Sequence, residues 1–124
     1  MKKLFTLSLS ALALTLSLQA NDELSDIEKL ADKKCSECHL IGKLSAEKLK
    51  KISAPPAWGI AKKVKLNYKN REDGIRFIMD YALNPSEDKM LFPHQTIERF
   101  GHMPSLKGKI TDEELRAIAE FILR

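Results

Sequence analysis

Two cysteines and a histidine near residue 35 carry the most informative chemistry of the chain. Cys35, Cys38 and His39 form a C-x-x-C-H sequence, the motif that attaches heme covalently. Two thiols at this spacing can add to the two vinyl groups on one porphyrin edge, and the adjoining imidazole can bind the iron through Nε2. The motif predicts one covalent heme c, with Cys35 and Cys38 as attachment points and His39 as an axial ligand.

The same three residues also allow simpler uses. The cysteines could form a structural disulfide, or a redox-active pair, although the βαβ context of such a pair is absent. With a histidine they could bind zinc, but no fourth ligand is evident. Because the chain has only two cysteines, a disulfide-dense scaffold and a four-cysteine zinc site are excluded.

A methionine late in the chain is the predicted second axial ligand. Met103 lies between Gly101 and Pro104, in a non-helical turn ahead of the last helix. A thioether binds iron weakly, so a stiff turn is needed to present it. Met79 lies within an apolar helical stretch, where core packing explains it, and Met90 has no distinctive neighbours.

Two histidines provide alternatives to this methionine. His94 or His102 could take the place of Met103 and give a heme with two histidine ligands and a lower potential. An open sixth position, which would favour gas binding or catalysis, is the remaining option.

The first twenty residues resemble an export signal. Lys2 and Lys3 precede an uncharged run from Leu4 to Leu18, and a small residue, Ala20, precedes a polar stretch. We expect cleavage after Ala20, export to the periplasm, and a mature domain spanning 21–124. The alternative is a retained anchor, for which an apolar run of about 15 residues is short.

The mature chain is predicted to be all-α. Apolar residues recur at helical spacing, cap residues precede several of the stretches, and no alternating strand pattern is present. The candidate helices cover residues 22–34, 45–52, 56–66, 71–83, 94–100 and 111–123.

The order of these motifs resembles the small monoheme class I c-type cytochromes. The matching residues are the C-x-x-C-H sequence after a helix, the pair Met103-Pro104, and the helix start at Thr111 that runs to Phe121. The resemblance implies a single domain of about four to five helices around one covalent heme. It also implies that the first and last helices cross beside the heme, with the Cys–His turn and the Met loop on opposite heme faces.

The resemblance further implies residues that support the heme pocket. A proline carbonyl, from Pro55 or Pro56, would accept the His39 N–H, and Trp58 and Tyr68 would cover the heme or bond to a propionate. Packing within helices explains both aromatic residues equally well.

The first helix departs from the family pattern. Ala31 stands where an aromatic residue is usual and Ile27 where a small one is usual. The helix crossing must therefore pack differently, with Leu30 and Phe121 as candidate contacts.

Charge gives a weaker indication of partners. The net charge is +4, and loss of Lys2 and Lys3 leaves 19 basic against 17 acidic residues, too small an excess to argue for nucleic acid. The lysine-rich segment 43–69 contains one acid, Glu47. It predicts docking of an acidic redox partner, or simply solvated helix faces. Anionic lipid is a weaker candidate, since the sequence shows no apolar face to deepen such binding.

These observations favour a monomeric one-electron carrier over an enzyme. It would move electrons from a donor complex to a terminal oxidase or reductase. The alternative is a heme sensor or small heme enzyme with a displaceable distal ligand. A third is an exported thiol or metal-binding module without heme.

Overall fold

The fold is built entirely of helices, which confirms the predicted all-α class. The computed structural model describes residues 6–124, with side chains from residue 20 onward, and that part of the chain contains no strand. The same part of the chain contains a single 3-10 turn, Glu87–Lys89. The α-helices are α1 (Thr6–Cys35), α2 (Ala46–Lys51), α3 (Ala57–Asn67), α4 (Arg71–Leu83), α5 (Gln95–Phe100) and α6 (Asp112–Ile122).

The first helix is longer than predicted. The expected start at Asp22 is wrong, because α1 runs without interruption over Thr6–Cys35. Neither glycine nor proline occurs between these residues, so nothing in the local sequence ends the helix. The export signal predicted for 1–20 begins outside the described residues, and its side chains before residue 20 are not described, so it stays a prediction. No helix within residues 6–124 is long and apolar enough to cross a bilayer.

Side-chain caps fix the starts of three helices where the sequence predicted them. The Asn70 side chain accepts a hydrogen bond from the Glu72 N–H at the start of α4. Thr111 and Glu114 form a reciprocal capping box on α6, and Ser45 caps α2. These bonds satisfy amide groups that lack partners within the helix, which is why such short helices have defined starts.

The last helix is the centre of the packing, in contact with α1, α3 and α4. Three of its buried residues, Ile118, Ala119 and Phe121, divide between two apolar clusters. The α1–α6 cluster contains Ala31, Ile41, Ile118 and Phe121. The α3–α4–α6 cluster contains Val64, Ile75, Ile78, Ala119 and Leu123.

The crossing of α1 and α6 shows how the departure from the family pattern is accommodated. Ala31 is fully buried against α6, and its small side chain lets the two helices approach closely. Phe121, from α6, supplies the aromatic ring of this cluster, while Ile27 and Leu30 pack against it from α1.

A glycine sets the distance between α3 and α4. A Cβ built on Gly74 would lie 2.8 Å from Val64 Cγ1 and 3.1 Å from Leu123 Cδ1. Val64 is β-branched and almost fully buried, so it cannot rotate away without disturbing the core. We predict that Gly74→Ala lowers the free energy of unfolding by about 1 kcal/mol or more, although alanine favours helix.

Gly59 provides the matched control for this substitution. A Cβ at Gly59 would lie 3.5 Å from Pro56 Cγ, which is an ordinary contact, so Gly59→Ala should leave stability unchanged or raise it by up to about 1 kcal/mol. Chemical denaturation followed by circular dichroism compares the two. Equal stability of Gly74→Ala and the wild type would contradict the close packing.

An ion pair joins α4 to α6 at the surface. Both terminal guanidinium nitrogens of Arg116, Nη1 and Nη2, donate to the Glu72 carboxylate, at 2.9 and 2.8 Å. The hydrogen bonds from Arg116 are the main reason that the pKa of Glu72 lies below its ordinary value.

This depressed pKa predicts a pH dependence of stability. The contribution of Glu72 is complete above the ordinary pKa of a glutamate and is lost as the pH falls through the lower pKa of the folded state. We expect Glu72→Gln to reduce the free energy of unfolding near neutral pH, and the difference from wild type to vanish in acid. Glu98→Gln, on the exposed face of α5, is the control. A constant difference across the pH range would exclude this role of the Glu72 carboxylate.

Candidate functional site

The end of α1 brings the three predicted heme-binding side chains to one wall of a cavity. After Cys35 the chain turns, and the N–H groups of Cys38 and His39 both donate to the Cys35 carbonyl, at 3.2 and 2.9 Å. The turn is tied to the following loop, since the Ser53 N–H donates to the Cys38 carbonyl. Cys35, Cys38 and His39 all line the cavity, and the two thiols are not joined as a disulfide.

Burial shifts the pKa values of His39 and Cys35 in opposite directions. Burial lowers the pKa of His39, which favours the neutral imidazole that binds iron. It raises the pKa of the Cys35 thiol, so this cysteine has no sign of the acidic thiol typical of a redox-active pair. Among the described residues, no group of three or more His, Cys, Asp or Glu side chains is placed to hold a metal ion.

A backbone carbonyl orients the His39 ring. His39 Nδ1 lies 2.6 Å from the carbonyl oxygen of Pro55. When Nδ1–H donates to this oxygen, the proton stays on Nδ1 and the lone pair of Nε2 is left for a metal. Of the two prolines that the resemblance suggested, Pro55 therefore holds the position, while Pro56 precedes α3 as its N-cap.

Residues of both apolar clusters line the cavity. Ile41 and Ile118 of the α1–α6 cluster line it, and so do Val64 and Ile78 of the α3–α4–α6 cluster. Leu115 and Ile122 of α6 also contribute to the lining. An apolar group lying in the cavity, such as a porphyrin, would contact both clusters.

One buried hydroxyl in the cavity wall has no partner. Ser86 Oγ is the buried side-chain polar atom without a hydrogen-bond partner among residues 20–124. Such a group is costly unless a ligand or water satisfies it. Heme offers both an apolar macrocycle for the walls and carboxylate acceptors for a hydroxyl, so the lining residues fit this cofactor. Nothing in the sequence around Ser86 marked it as a cavity residue.

Three of the five candidate distal ligands line the same cavity. These are Met90, Met103 and His102. Met79 instead packs against the α3–α4–α6 cluster, and the exposed His94 lies 3.6 Å from Glu87 Oε2.

The loop that carries Met103 is held at both ends. Gly101 adopts φ = +77°, and its N–H donates to the Ile97 carbonyl at 2.7 Å, which ends α5. Beyond Met103, Ser105 Oγ donates to the Leu83 carbonyl at 2.6 Å, and the Leu106 N–H donates to the Ala82 carbonyl. These two carbonyls are at the open end of α4, so the loop satisfies acceptors that the helix leaves unpaired.

The other distal candidates are held less favourably. His102 is about two-thirds exposed, and its Nε2 lies 3.4 Å from Glu87 Oε1, so the nitrogen is turned toward a carboxylate. Met90 follows the 3-10 turn, which gives it one backbone bond, from its N–H to the Glu87 carbonyl. The arrangement therefore favours Met103 for presenting a sulfur to the cavity.

Two aromatic residues that the resemblance suggested as heme-pocket support lie outside the cavity lining. Trp58 is 64% exposed and lies outside the cavity lining. Tyr68 stacks on Phe77, with 5.1 Å between ring centroids, and packs against the α3–α4–α6 cluster. Phe77 and Tyr81 of α4 line the cavity instead, as expected for two residues four apart on the inward face of one helix.

Comparisons with known proteins identify the family of the chain. The family model described as Cytochrome c matches residues 24–124. An uncharacterized protein of Aquifex aeolicus (strain VF5) is 31% identical over 102 residues, which cover 73% of this chain and 66% of the relative. The chain thus spans just under two thirds of that relative's length, and no solved structure matches it significantly.

The family match reaches from α1 to Arg124 and includes both the C-x-x-C-H turn and the Met103 loop. Members of this family hold heme c covalently and transfer electrons through it. The chain therefore belongs to the cytochrome c family.

Proposed function

We propose that the protein is a periplasmic one-electron carrier with a single heme c. Cys35 and Cys38 would hold the heme through thioethers, with His39 and Met103 as the axial ligands of its iron. The observation that supports this most directly is the cavity itself. Its wall contains the His39 ring, which the Pro55 carbonyl orients, and the thiols of Cys35 and Cys38. It also contains Met103, whose loop is held by hydrogen bonds at both ends.

The chain's own residues would set the conditions for electron transfer. When bound, heme supplies the ferric–ferrous couple. The Pro55 carbonyl strengthens His39 as a donor, while the apolar walls exclude water, and both effects tune the potential. Because two axial ligands leave no position for a substrate, we propose that the protein is not an enzyme.

Redox partners are proposed to dock beside the cavity. An acidic partner would be attracted by the lysine-rich segment 43–69. Lys63 is the lysine of this segment that lines the cavity wall, with Nζ 5.9 Å from the Phe92 ring centroid. The partners would be a donor complex and a terminal oxidase or reductase, which the protein would serve as a monomer.

An intact mass tests attachment and export together. We expect protein purified from a heme-installing host to have the mass of residues 21–124 plus one heme, and no free thiol. The Cys35→Ser/Cys38→Ser variant, processed by the same host, should have the mass of the polypeptide alone. A heme-free wild type would contradict the carrier, whereas heme on residues 1–124 would contradict cleavage after Ala20 and leave the carrier intact.

Substitution of the methionines tests the distal ligand. Met103→Ala should abolish the weak absorbance that marks iron–Met bonding in the ferric state and should lower the reduction potential. Met90→Ala should retain both properties, because its position lacks the bonds that hold the Met103 loop. The heme content of each variant, measured by mass, separates a lost ligand from a protein that did not mature.

The competing function is a heme sensor or small heme enzyme with a displaceable distal ligand. Its support is the presence of Met90 and His102 in the same wall as Met103. Carbon monoxide distinguishes the two functions. Slow or absent binding to the reduced wild type, with rapid binding to Met103→Ala, supports the carrier, and rapid binding to the wild type supports the sensor.

A further inference from the structure

The third helix has two faces that point in opposite directions. Ile60, Lys63 and Val64 line the heme cavity. At 100° per residue, the side chains of Trp58, Lys62, Lys65 and Leu66 are centred on the opposite side of α3. All four of these side chains are exposed. We refer to them as the outer face of α3.

The outer face exposes the most accessible large apolar side chains of the described region. Trp58 is 64% exposed and Leu66 is 72% exposed. A shallow groove beside them is lined by Leu40, Gly42 and Phe121 as well as by α3. A tryptophan and a leucine displayed together on a small protein indicate a surface that is covered by something else.

The chain segment that contains this apolar patch carries charge of one sign. Residues 48–71 contain eight lysine and arginine residues and no acidic residue. Lys62 and Lys65 lie between Trp58 and Leu66 along the helix, and all four side chains take part in the groove lining. Arg124 adds a further cation to the groove, and Lys65 Nζ donates to its backbone oxygen at 3.1 Å.

We infer that the outer face of α3 binds the surface of a lipid bilayer with anionic headgroups. Its residue types match those of helices that lie in the membrane interface. Trp58 and Leu66 would enter the boundary between headgroups and acyl chains, while Lys62 and Lys65 reach back to the phosphates. The sequence alone did not show an apolar face for the lysines, because this face depends on how α3 is turned against α4 and α6.

The position of this face favours a bilayer over a redox protein. A protein docked there would have α3 between itself and the cavity, which is unfavourable for electron exchange. A membrane there would leave the side of the cavity next to Lys63 open to partners. The inference does not depend on the identity of the distal ligand or on the electron partner.

Vesicle sedimentation of the full protein tests the inference. We expect binding to vesicles of phosphatidylcholine with phosphatidylglycerol, weakened by salt, and at least tenfold weaker binding to phosphatidylcholine alone. Trp58→Ser/Leu66→Ser should weaken the anionic binding about tenfold or more, and Lys62→Ser/Lys65→Ser by a similar factor. Leu24→Ser, at an exposed leucine of α1, is the matched control and should bind like the wild type.

All of these variants share the N-terminal segment of the chain. Oxidative footprinting at Trp58 distinguishes vesicle binding through the outer face of α3 from vesicle binding through that segment. Trp58 is the only tryptophan of the chain, so its oxidation by hydroxyl radicals is readily assigned by mass spectrometry. We expect anionic vesicles to reduce its oxidation severalfold, with that of Leu24 unchanged.

Equal oxidation of Trp58 with and without anionic vesicles would overturn the inference. Protection that requires an acidic redox protein and not vesicles would also overturn it and identify a protein interface. An absorption spectrum of the same sample reports heme content, so failure of the carrier proposal is recorded separately.

Discussion

The core of the fold surrounds one cavity, which residues of both apolar clusters line. Ile41 and Ile118 of the α1–α6 cluster line this cavity, and so do Val64 and Ile78 of the α3–α4–α6 cluster. Ile122 packs against both clusters, so they meet at α6 beside the cavity. A chain of this size buries a modest fraction of its surface. A porphyrin in the cavity would add its large apolar area to both clusters. The proposed covalent attachment would tie this core to the end of α1, through the turn that contains Cys35 and Cys38.

The loop of Met103, the proposed distal ligand, is positioned by two ordinary hydrogen bonds to the end of α4. A thioether cannot organise a loop by itself, so the loop must be fixed before the sulfur binds. Here the Leu83 and Ala82 carbonyls at the end of α4 accept bonds from Ser105 and Leu106. Loosening the end of α4 would therefore displace Met103 with no substitution at Met103 itself. In the proposed carrier, the stability of α4 and the strength of the iron–sulfur bond would be linked through these two bonds.

Local signals in the sequence predicted the parts of the structure that local bonds determine. Asn70 and Thr111 mark the starts of α4 and α6, because a cap needs only residues two or three positions away. The C-x-x-C-H turn is similarly local. The start of α1 was missed because Ala20 and Asn21 are compatible with helix, and a processing signal does not determine the conformation of the uncut chain.

Features that depend on packing between helices could be predicted less well from the sequence. Trp58 and Tyr68 are both in or beside α3, and the sequence places them near a heme by resemblance alone. Whether either meets the cavity depends on how α3 rotates against α4 and α6, where Val64 and Gly74 fit together closely. Ser86 was missed for the same reason, since a serine between a proline and a glutamate has no pattern that indicates burial.

The orientation of α3 about its axis also explains why its lysines do not all lie on one surface. Lys62 and Lys63 are adjacent in the sequence, but consecutive residues of a helix point about 100° apart. Lys63 lines the cavity and approaches Phe92, whereas Lys62 lies beside Trp58 in the outer groove. A segment with one sign of charge can therefore serve two surfaces, one beside the cofactor and one away from it. The orientation of α3, set by its buried residues, determines which lysine belongs to each.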